Sequence, residues 1–105
     1  MKLKHTLAAS VILGTVAFPA LATHEVNGIL INRVYVDPTD VVVRTNTENG
    51  CGSIFFHLPR SNVNFREMHA YIFRAFREQL PINFAVQDSC NGDRVDISHG
   101  SMETQ

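Results

Sequence analysis

Residues 26–36 read VNGILINRVYV, a long apolar run with β-branched side chains at both odd and even positions. A half-buried strand alternates strictly, so this pattern predicts a strand with both faces buried over part of its length. A strong bend that lets one strand serve two sheets produces such burial. Gly28 is placed to supply the bend or a bulge.

Four shorter strands are predicted after this run: residues 41–45, 51–58, 82–88 and 94–98. Pro38 suits the second position of the turn before the first of them, and Pro59 ends the second. The last two are joined by a turn around Asn91-Gly92. The polar tail from His99 is expected to fray.

The hydrophobic period changes after Pro59. Apolar side chains then recur every three or four residues, at Phe65, Met68, Ile72, Phe73, Phe76 and Leu80. This spacing predicts one amphipathic helix. Asn64 with Glu67 fits a capping box, Val63 with Met68 fits a hydrophobic staple, and Pro81 sets the end. His69 lies within the stripe and is expected to be a core histidine bonded to a backbone group.

The predicted order is therefore β-β-β-α-β-β. Five short strands with a helix between the third and fourth are typical of the OB-fold, a small Greek-key barrel. The two-sided first strand favours this barrel, because the first strand of an OB-fold is bent and shared between both sheets. The alternative is an open α+β sheet with one helix.

The first 22 residues have the pattern of a cleaved Sec-type signal peptide. Lys2 and Lys4 precede an apolar run at residues 7–18, and Ala20-Leu21-Ala22 is an A-x-A cleavage signal. A membrane anchor needs about 20 apolar residues, and this run is shorter and broken by Pro19. A retained anchor or a lipoprotein remains the alternative. We expect a secreted or periplasmic protein, cleaved after Ala22, with one OB-fold-like domain at residues 23–105.

Removal of the leader would leave seven arginines against ten carboxylates, a formal charge of −3. This balance argues against a nucleic-acid binder. The content of 45% hydrophobic and 18% charged residues is that of a globular protein.

Cys51 and Cys90 are the only two cysteines of the chain. In an exported protein an even cysteine count predicts a disulfide. A catalytic or metal-binding thiol is the alternative, but the chain has no C-x-x-C spacing.

The layout resembles the cell-binding B subunits of bacterial A-B toxins, of the subtilase-cytotoxin and pertussis-like type. The resemblance rests on VNGILINRVYVD at residues 26–37, the segment from Cys51 through FFHLP, the helix NFREMHAYIFRAF from residue 64, and Cys90 with its following Asn-Gly. It implies a Cys51–Cys90 disulfide, a pentamer-like ring with the helices lining its centre, glycan recognition by the barrel, and a toxin A subunit as partner. In such a ring the outer helix face, with Arg66, Ala70, Arg74 and Arg77, would line the channel. Otherwise that face is simply solvated.

No catalytic or metal-binding motif is present. The sequence lacks G-x-S-x-G, H-E-x-x-H and a phosphate-binding glycine loop, and its histidines are scattered. Asp93 and Asp96, beside a turn and on the outer side of a short strand, are expected to be solvated. We expect no enzyme activity, no cofactor and no metal.

Alternation places five residues on side-chain parities opposite to the predicted core: Arg33, Tyr35, Arg44, Phe55 and His57. In OB-folds the faces of the second and third strands commonly carry the ligand. Tyrosine and phenylalanine stack on sugar rings, while arginine and histidine bind hydroxyls or an acidic sugar's carboxylate. The alternative is a second core layer or a subunit interface.

Two classes of function remain. The first is an exported module that recognises a glycan or receptor on a cell surface, with possible self-association. The second is an exported periplasmic accessory, inhibitor or structural protein without a toxin partner. Neither involves nucleic acid or membrane insertion of the mature chain.

Overall fold

The computed structural model of the protein describes residues 22–104. Within them the chain forms six strands in two antiparallel sheets and one helix. The elements are β1 (Thr23–Ile29), β2 (Ile31–Val36), β3 (Asp40–Thr45), β4 (Phe55–Pro59), α1 (Phe65–Glu78), β5 (Ile82–Gln87) and β6 (Ile97–Ser101). The prediction of a mainly β chain with one helix is confirmed. The predicted signal peptide, apart from Ala22, lies outside the described residues.

The predicted first strand is in fact two strands, which corrects the expected number of five. The pairing of β1 with β5 shifts register between Val26 and Ile29, where Gly28 has a φ of 69°. A second shift in the pairing of β2 with β3 follows Ile31. The side chains directed toward the core are therefore Val26 first, then Ile29 and Ile31, and then Val34. These two bulges explain the apolar residues on both parities, which the sequence indicated as burial of both faces.

One sheet has the order β1-β5-β6 and the other β2-β3-β4. They meet where the His57 N–H donates to the Val95 carbonyl at 3.1 Å, and His57 forms a parallel bridge with Asp96. The core lies between the sheets and under the helix. Its fully buried large side chains are Phe56, Phe84, Ile29, Ile31, Leu58, Ile72, Ile82, Ile97, Val41, Val43, Val86 and Val95.

Helix α1 buries Met68 and Ile72 of the predicted stripe, and also Ala75, which the prediction did not include. Its predicted start is wrong in detail, because Asn64 makes no side-chain cap bond and Val63 is 94% exposed. The capping box and the staple are therefore absent.

Asn62 organises this end of the helix instead of Asn64. Its Oδ1 accepts the N–H of Asn64, while its Nδ2 donates to the carbonyls of Ile97 and Ser98. His69 is half-buried, so it is not a fully buried core histidine; its ring stacks on Phe65 at a centroid distance of 5.5 Å and lies tilted against Phe73 at 4.6 Å.

Two strand boundaries also differ from the prediction. The strand expected at residues 51–58 begins only at Phe55, because the preceding residues form a loop held by Asn49. The last strand was expected at residues 94–98 but is Ile97–Ser101. The tail expected to fray from His99 instead pairs with β5, since backbone pairing there does not depend on apolar side chains.

Candidate binding face

The five predicted ligand residues lie together on the outer face of the β2-β3-β4 sheet. Arg33 lies opposite Arg44, which lies opposite Phe55. Tyr35 lies opposite Val42, which lies opposite His57. Directly opposed residues share a face, as do residues two apart in one strand, so the two rows are neighbours. We call these five residues the arginine–aromatic face.

The aromatic part of this face is a pair of rings with a cation above it. The centroids of Tyr35 and Phe55 are 6.3 Å apart, and the guanidinium carbon of Arg33 lies 4.3 Å from the centroid of Tyr35. This spacing is within the range of favourable aromatic pairs and cation–π contacts. Tyr35 keeps 37% of its surface exposed. Tyr35 is therefore accessible to a ligand, whereas Phe55 is half-buried.

The two arginines of the face have like charge and are directly opposed across neighbouring strands. Among residues 22–104 neither has a carboxylate within 4 Å; Arg44 Nε donates instead to Asn32 Oδ1 at 2.7 Å. Like charges in opposed positions destabilise a sheet. Each guanidinium group can donate hydrogen bonds to an anionic group.

His57 is oriented by a charged network at one end of the face. Its Nδ1 lies 3.2 Å from Asp40 Oδ2, and Arg94 Nη1 lies 2.9 Å from the same oxygen. Asp40 is only 4% exposed. Arg94 Nε also donates to Asp96 Oδ1 at 2.8 Å, and this bond, followed by the one to Asp40, raises the pKa of Arg94. The Asp40 carboxylate accepts the hydrogen bond from Nδ1 of His57. The other ring nitrogen of His57, Nε2, is therefore the one left for a ligand.

The sequence prediction missed Asp40 and Arg94, and it expected Asp96 to be solvated. The alternation of Asp40, Val42 and Arg44 does carry a signal, since it puts a carboxylate on the same face as Arg44. Nothing local in the sequence links Asp40 to Arg94, which is distant in the chain. Asp96 is half-buried and ion-paired.

The turn between β2 and β3 borders the same face. Asp37 Oδ1 accepts the backbone N–H groups of Asp40 at 2.7 Å and Thr39 at 3.0 Å. These two hydrogen bonds, that of Asp40 first, lower the pKa of Asp37. The carboxylate thus fixes the turn that delivers Asp40 to the network.

The predicted disulfide is confirmed. Cys51 is bonded to Cys90, with a Cα–Cα distance of 5.7 Å. It joins the loop before β4 to the loop after β5. The bridge contributes to the scaffold and not to the arginine–aromatic face.

The cavities described lie away from the arginine–aromatic face. One of about 340 Å³ is lined by Asn27, Gly28, Pro81, Asn83 and Glu103, and another of about 370 Å³ includes Arg74, Glu78 and Met102. Neither includes any of the five predicted residues. Neither of these two cavities is lined by an aromatic ring.

Two further observations concern chemistry and membranes. Residues 22–104 contain no cluster of three or more histidine, cysteine, aspartate or glutamate side chains arranged to hold a metal ion. Over the same residues no helix has the length and apolar content needed to span a bilayer.

Comparison with known proteins gives no relative: no family model, no curated protein and no solved structure matches this chain.

Proposed function

We propose that this protein is an exported binding module that recognises a glycan on a cell surface through the arginine–aromatic face. One observation carries the proposal: Arg33, Arg44 and Phe55 form one cross-strand row, and Tyr35 and His57 border it in the next. Exposed rings flanked by guanidinium groups combine a stacking surface with donors for hydroxyl or carboxylate oxygens. The resemblance to toxin B subunits adds support.

We also propose that the two sheets are parts of one OB-type Greek-key barrel. Strands β1 and β2 follow each other with one intervening residue and belong to different sheets. On the other side, β4 meets the segment leading into β6 through the parallel bridge of His57 and Asp96. In this assignment β3 and β4 are the second and third barrel strands, whose faces carry ligands in OB-folds.

The charges favour an acidic sugar as the ligand. Arg33 and Arg44 have no carboxylate partner among residues 22–104. A carboxylate or sulfate on a sugar ring would relieve their mutual repulsion and accept several charge-assisted hydrogen bonds. Neutral glycans would gain only the stacking and hydroxyl contacts.

Export is supported by the Cys51–Cys90 disulfide, since such bridges persist in oxidising compartments. The leader pattern at residues 1–22 is independent support from the sequence.

A glycan-array screen of the oxidised protein tests the function. We expect binding to acidic glycans, lost in Arg33→Ala and Arg44→Ala without a loss of thermal stability. Arg77→Ala is the matched control, because Arg77 is exposed on α1 and lies outside the face. If no glycan binds, or if Arg77→Ala loses binding as fully as Arg44→Ala, the proposal is wrong.

A second candidate is a protein-binding role, either as an accessory protein or as a subunit of a homo-oligomeric ring with a toxin A subunit. Strand β2 pairs only with β3 among the described strands, and its last residue, Val36, is 57% exposed. Unpaired edges with apolar side chains are sites of strand addition. Sedimentation at micromolar concentration tests it: we expect an oligomer that Val36→Lys weakens. A wild-type monomer throughout would exclude the ring.

A further inference from the structure

Three asparagines in the chain are followed directly by glycine: Asn27, Asn49 and Asn91. In such a pair the backbone nitrogen of the glycine can attack the side-chain amide carbon of the asparagine, because glycine has no side chain to hinder the approach. The reaction needs an accessible amide and a main chain that can rotate. The three Asn-Gly pairs differ in how accessible the asparagine amide is and in how freely the main chain can rotate.

The side chain of Asn49 is buried and hydrogen-bonded through both Nδ2 and Oδ1. It is 0% exposed, and its Nδ2 donates to the carbonyls of Phe55 at 2.8 Å and Asp93 at 3.0 Å. Its Oδ1 accepts the N–H groups of Cys51 and Ser53. Attack on the amide carbon would break all four bonds, so Asn49 is protected while the protein is folded.

Asn27 is exposed, but its neighbouring nitrogen is engaged. The N–H of Gly28 donates to Asn83 Oδ1 at 3.0 Å. Both residues lie in β1, between the paired positions Val26 and Ile29. The strand therefore opposes the rotation that brings the nitrogen to the side chain.

At Asn91 the amide is accessible and the neighbouring nitrogen is not engaged in the described part of the chain, so only the turn itself resists rotation of the main chain. Asn91 is exposed, in a tight turn closed by Asn91 N–H to the Arg94 carbonyl at 3.1 Å and Arg94 N–H to the Asn91 carbonyl at 3.0 Å. Gly92 has a φ of 65°, as expected at the first central position of a type II′ turn. No hydrogen bond found among residues 22–104 uses the Gly92 nitrogen or the Asn91 side chain.

We propose that Asn91 is a site of spontaneous deamidation in the folded protein. The Gly92 nitrogen bonds to the Asn91 side-chain carbon and loses its proton, the bond from that carbon to Nδ2 breaks, and ammonia leaves with the proton. Water then opens the five-membered imide at either carbonyl, which gives aspartate or isoaspartate. The net reaction consumes one water and releases one ammonia.

Deamidation of Asn91 would disturb the charged network around His57. Isoaspartate lengthens the main chain by one carbon inside a turn that is closed by Arg94. Arg94 pairs with both Asp40 and Asp96, and Asp40 contacts His57. Loss of the turn geometry therefore loosens the residues that orient His57.

Peptide mass spectrometry tests the site. The oxidised protein is incubated at mildly alkaline pH and then reduced and cleaved after arginine. Asn27, Asn49 and Asn91 then fall in separate peptides, ending at Arg33, Arg60 and Arg94. We expect conversion at Asn91 to be about tenfold or more faster than at the other two, because those need local unfolding first. In reduced protein in denaturant the three rates should become similar.

Asn91→Gln is the matched variant, since a glutamine at this site cannot form the five-membered ring. It should lose the converted species and leave the other two peptides unchanged. If Asn91 stays intact in the folded protein while it converts in the denatured chain, or if Asn27 or Asn49 converts as fast in the folded protein, the proposal is wrong.

Discussion

The side chain of Asn49 is hydrogen-bonded to the backbone of Asp93, with Nδ2 donating to the carbonyl oxygen at 3.0 Å across 44 residues of chain. The same amide group donates to the carbonyl of Phe55, and Asn49 is 0% exposed. One buried side chain therefore ties the loop before β4 to the turn after β5, beside the Cys51–Cys90 bridge.

Replacing Asn49 by alanine should lower the free energy of unfolding by about 3 kcal/mol, because several buried backbone groups lose their partners at once. Urea unfolding of the oxidised protein measures this. Asn64→Ala is the control, since Asn64 makes no side-chain cap bond and its loss should change stability little. Equal effects in the two variants would contradict the structural role of Asn49.

Removing the disulfide should cost roughly 2–5 kcal/mol in the double variant Cys51→Ala/Cys90→Ala, because the bridge closes a loop with a sequence separation of 39 and restricts the unfolded chain. The double variant avoids a lone thiol. Urea unfolding measures the decrease in the free energy of unfolding. Mass analysis of the wild-type protein without reductant shows directly whether its cysteines are free thiols. Two free thiols in protein taken from the periplasm or medium would contradict the bridge.

Substituting Arg94 by methionine should destabilise the protein by about 2 kcal/mol near neutral pH, since the buried carboxylate of Asp40 then has only His57 as a partner. The double variant Arg94→Met/Asp40→Asn should recover part of this loss, because the unpaired charge is gone. Arg77→Met, on the exposed side of α1, is the control. An Arg94→Met variant as stable as the wild type would show that the network does not stabilise the fold.

Acid should weaken the turn that Asp37 holds. The pKa of Asp37 is lower in the folded state than in the unfolded chain, where it is about 3.9. Ionised Asp37 therefore stabilises the fold at pH values above the unfolded-state pKa. This contribution disappears as the pH falls through the folded-state pKa. The stability difference between wild type and Asp37→Asn should therefore shrink on acidification below about pH 4. Asp93→Asn is the control for the loss of one negative charge, because the Asp93 carboxylate makes no hydrogen bond found among residues 22–104.

Local patterns predicted the parts of the structure that depend on local geometry. The period of two along each strand was enough to put Arg33, Arg44 and His57 on one side, because side chains alternate whatever the rest of the fold does. The bridge is not local, but the even cysteine count together with the expected export was enough to predict it. The stripe through Met68 and Ile72 predicted the helix.

Several of the errors share one cause, which is dependence on residues distant in the chain. Asn62 rather than Asn64 organises the start of α1 because it reaches Ile97 and Ser98, 35 and 36 residues away. His99 joins a strand because β5 offers backbone partners, and Asp40 is buried because Arg94 arrives beside it. Such contacts leave no periodic trace in the sequence.

The pairing of β1 with β5 has a consequence for how the chain acquires its structure. His24 and Asp88, whose side chains are hydrogen-bonded at one end of this pairing, are 64 residues apart, whereas β2, β3 and β4 are consecutive hairpin neighbours. Loop-closure entropy makes the distant pairing slow, so the β2-β3-β4 meander is expected to form first. Strand β1 is synthesised before β5, so it stays without this pairing partner until β5 has been made.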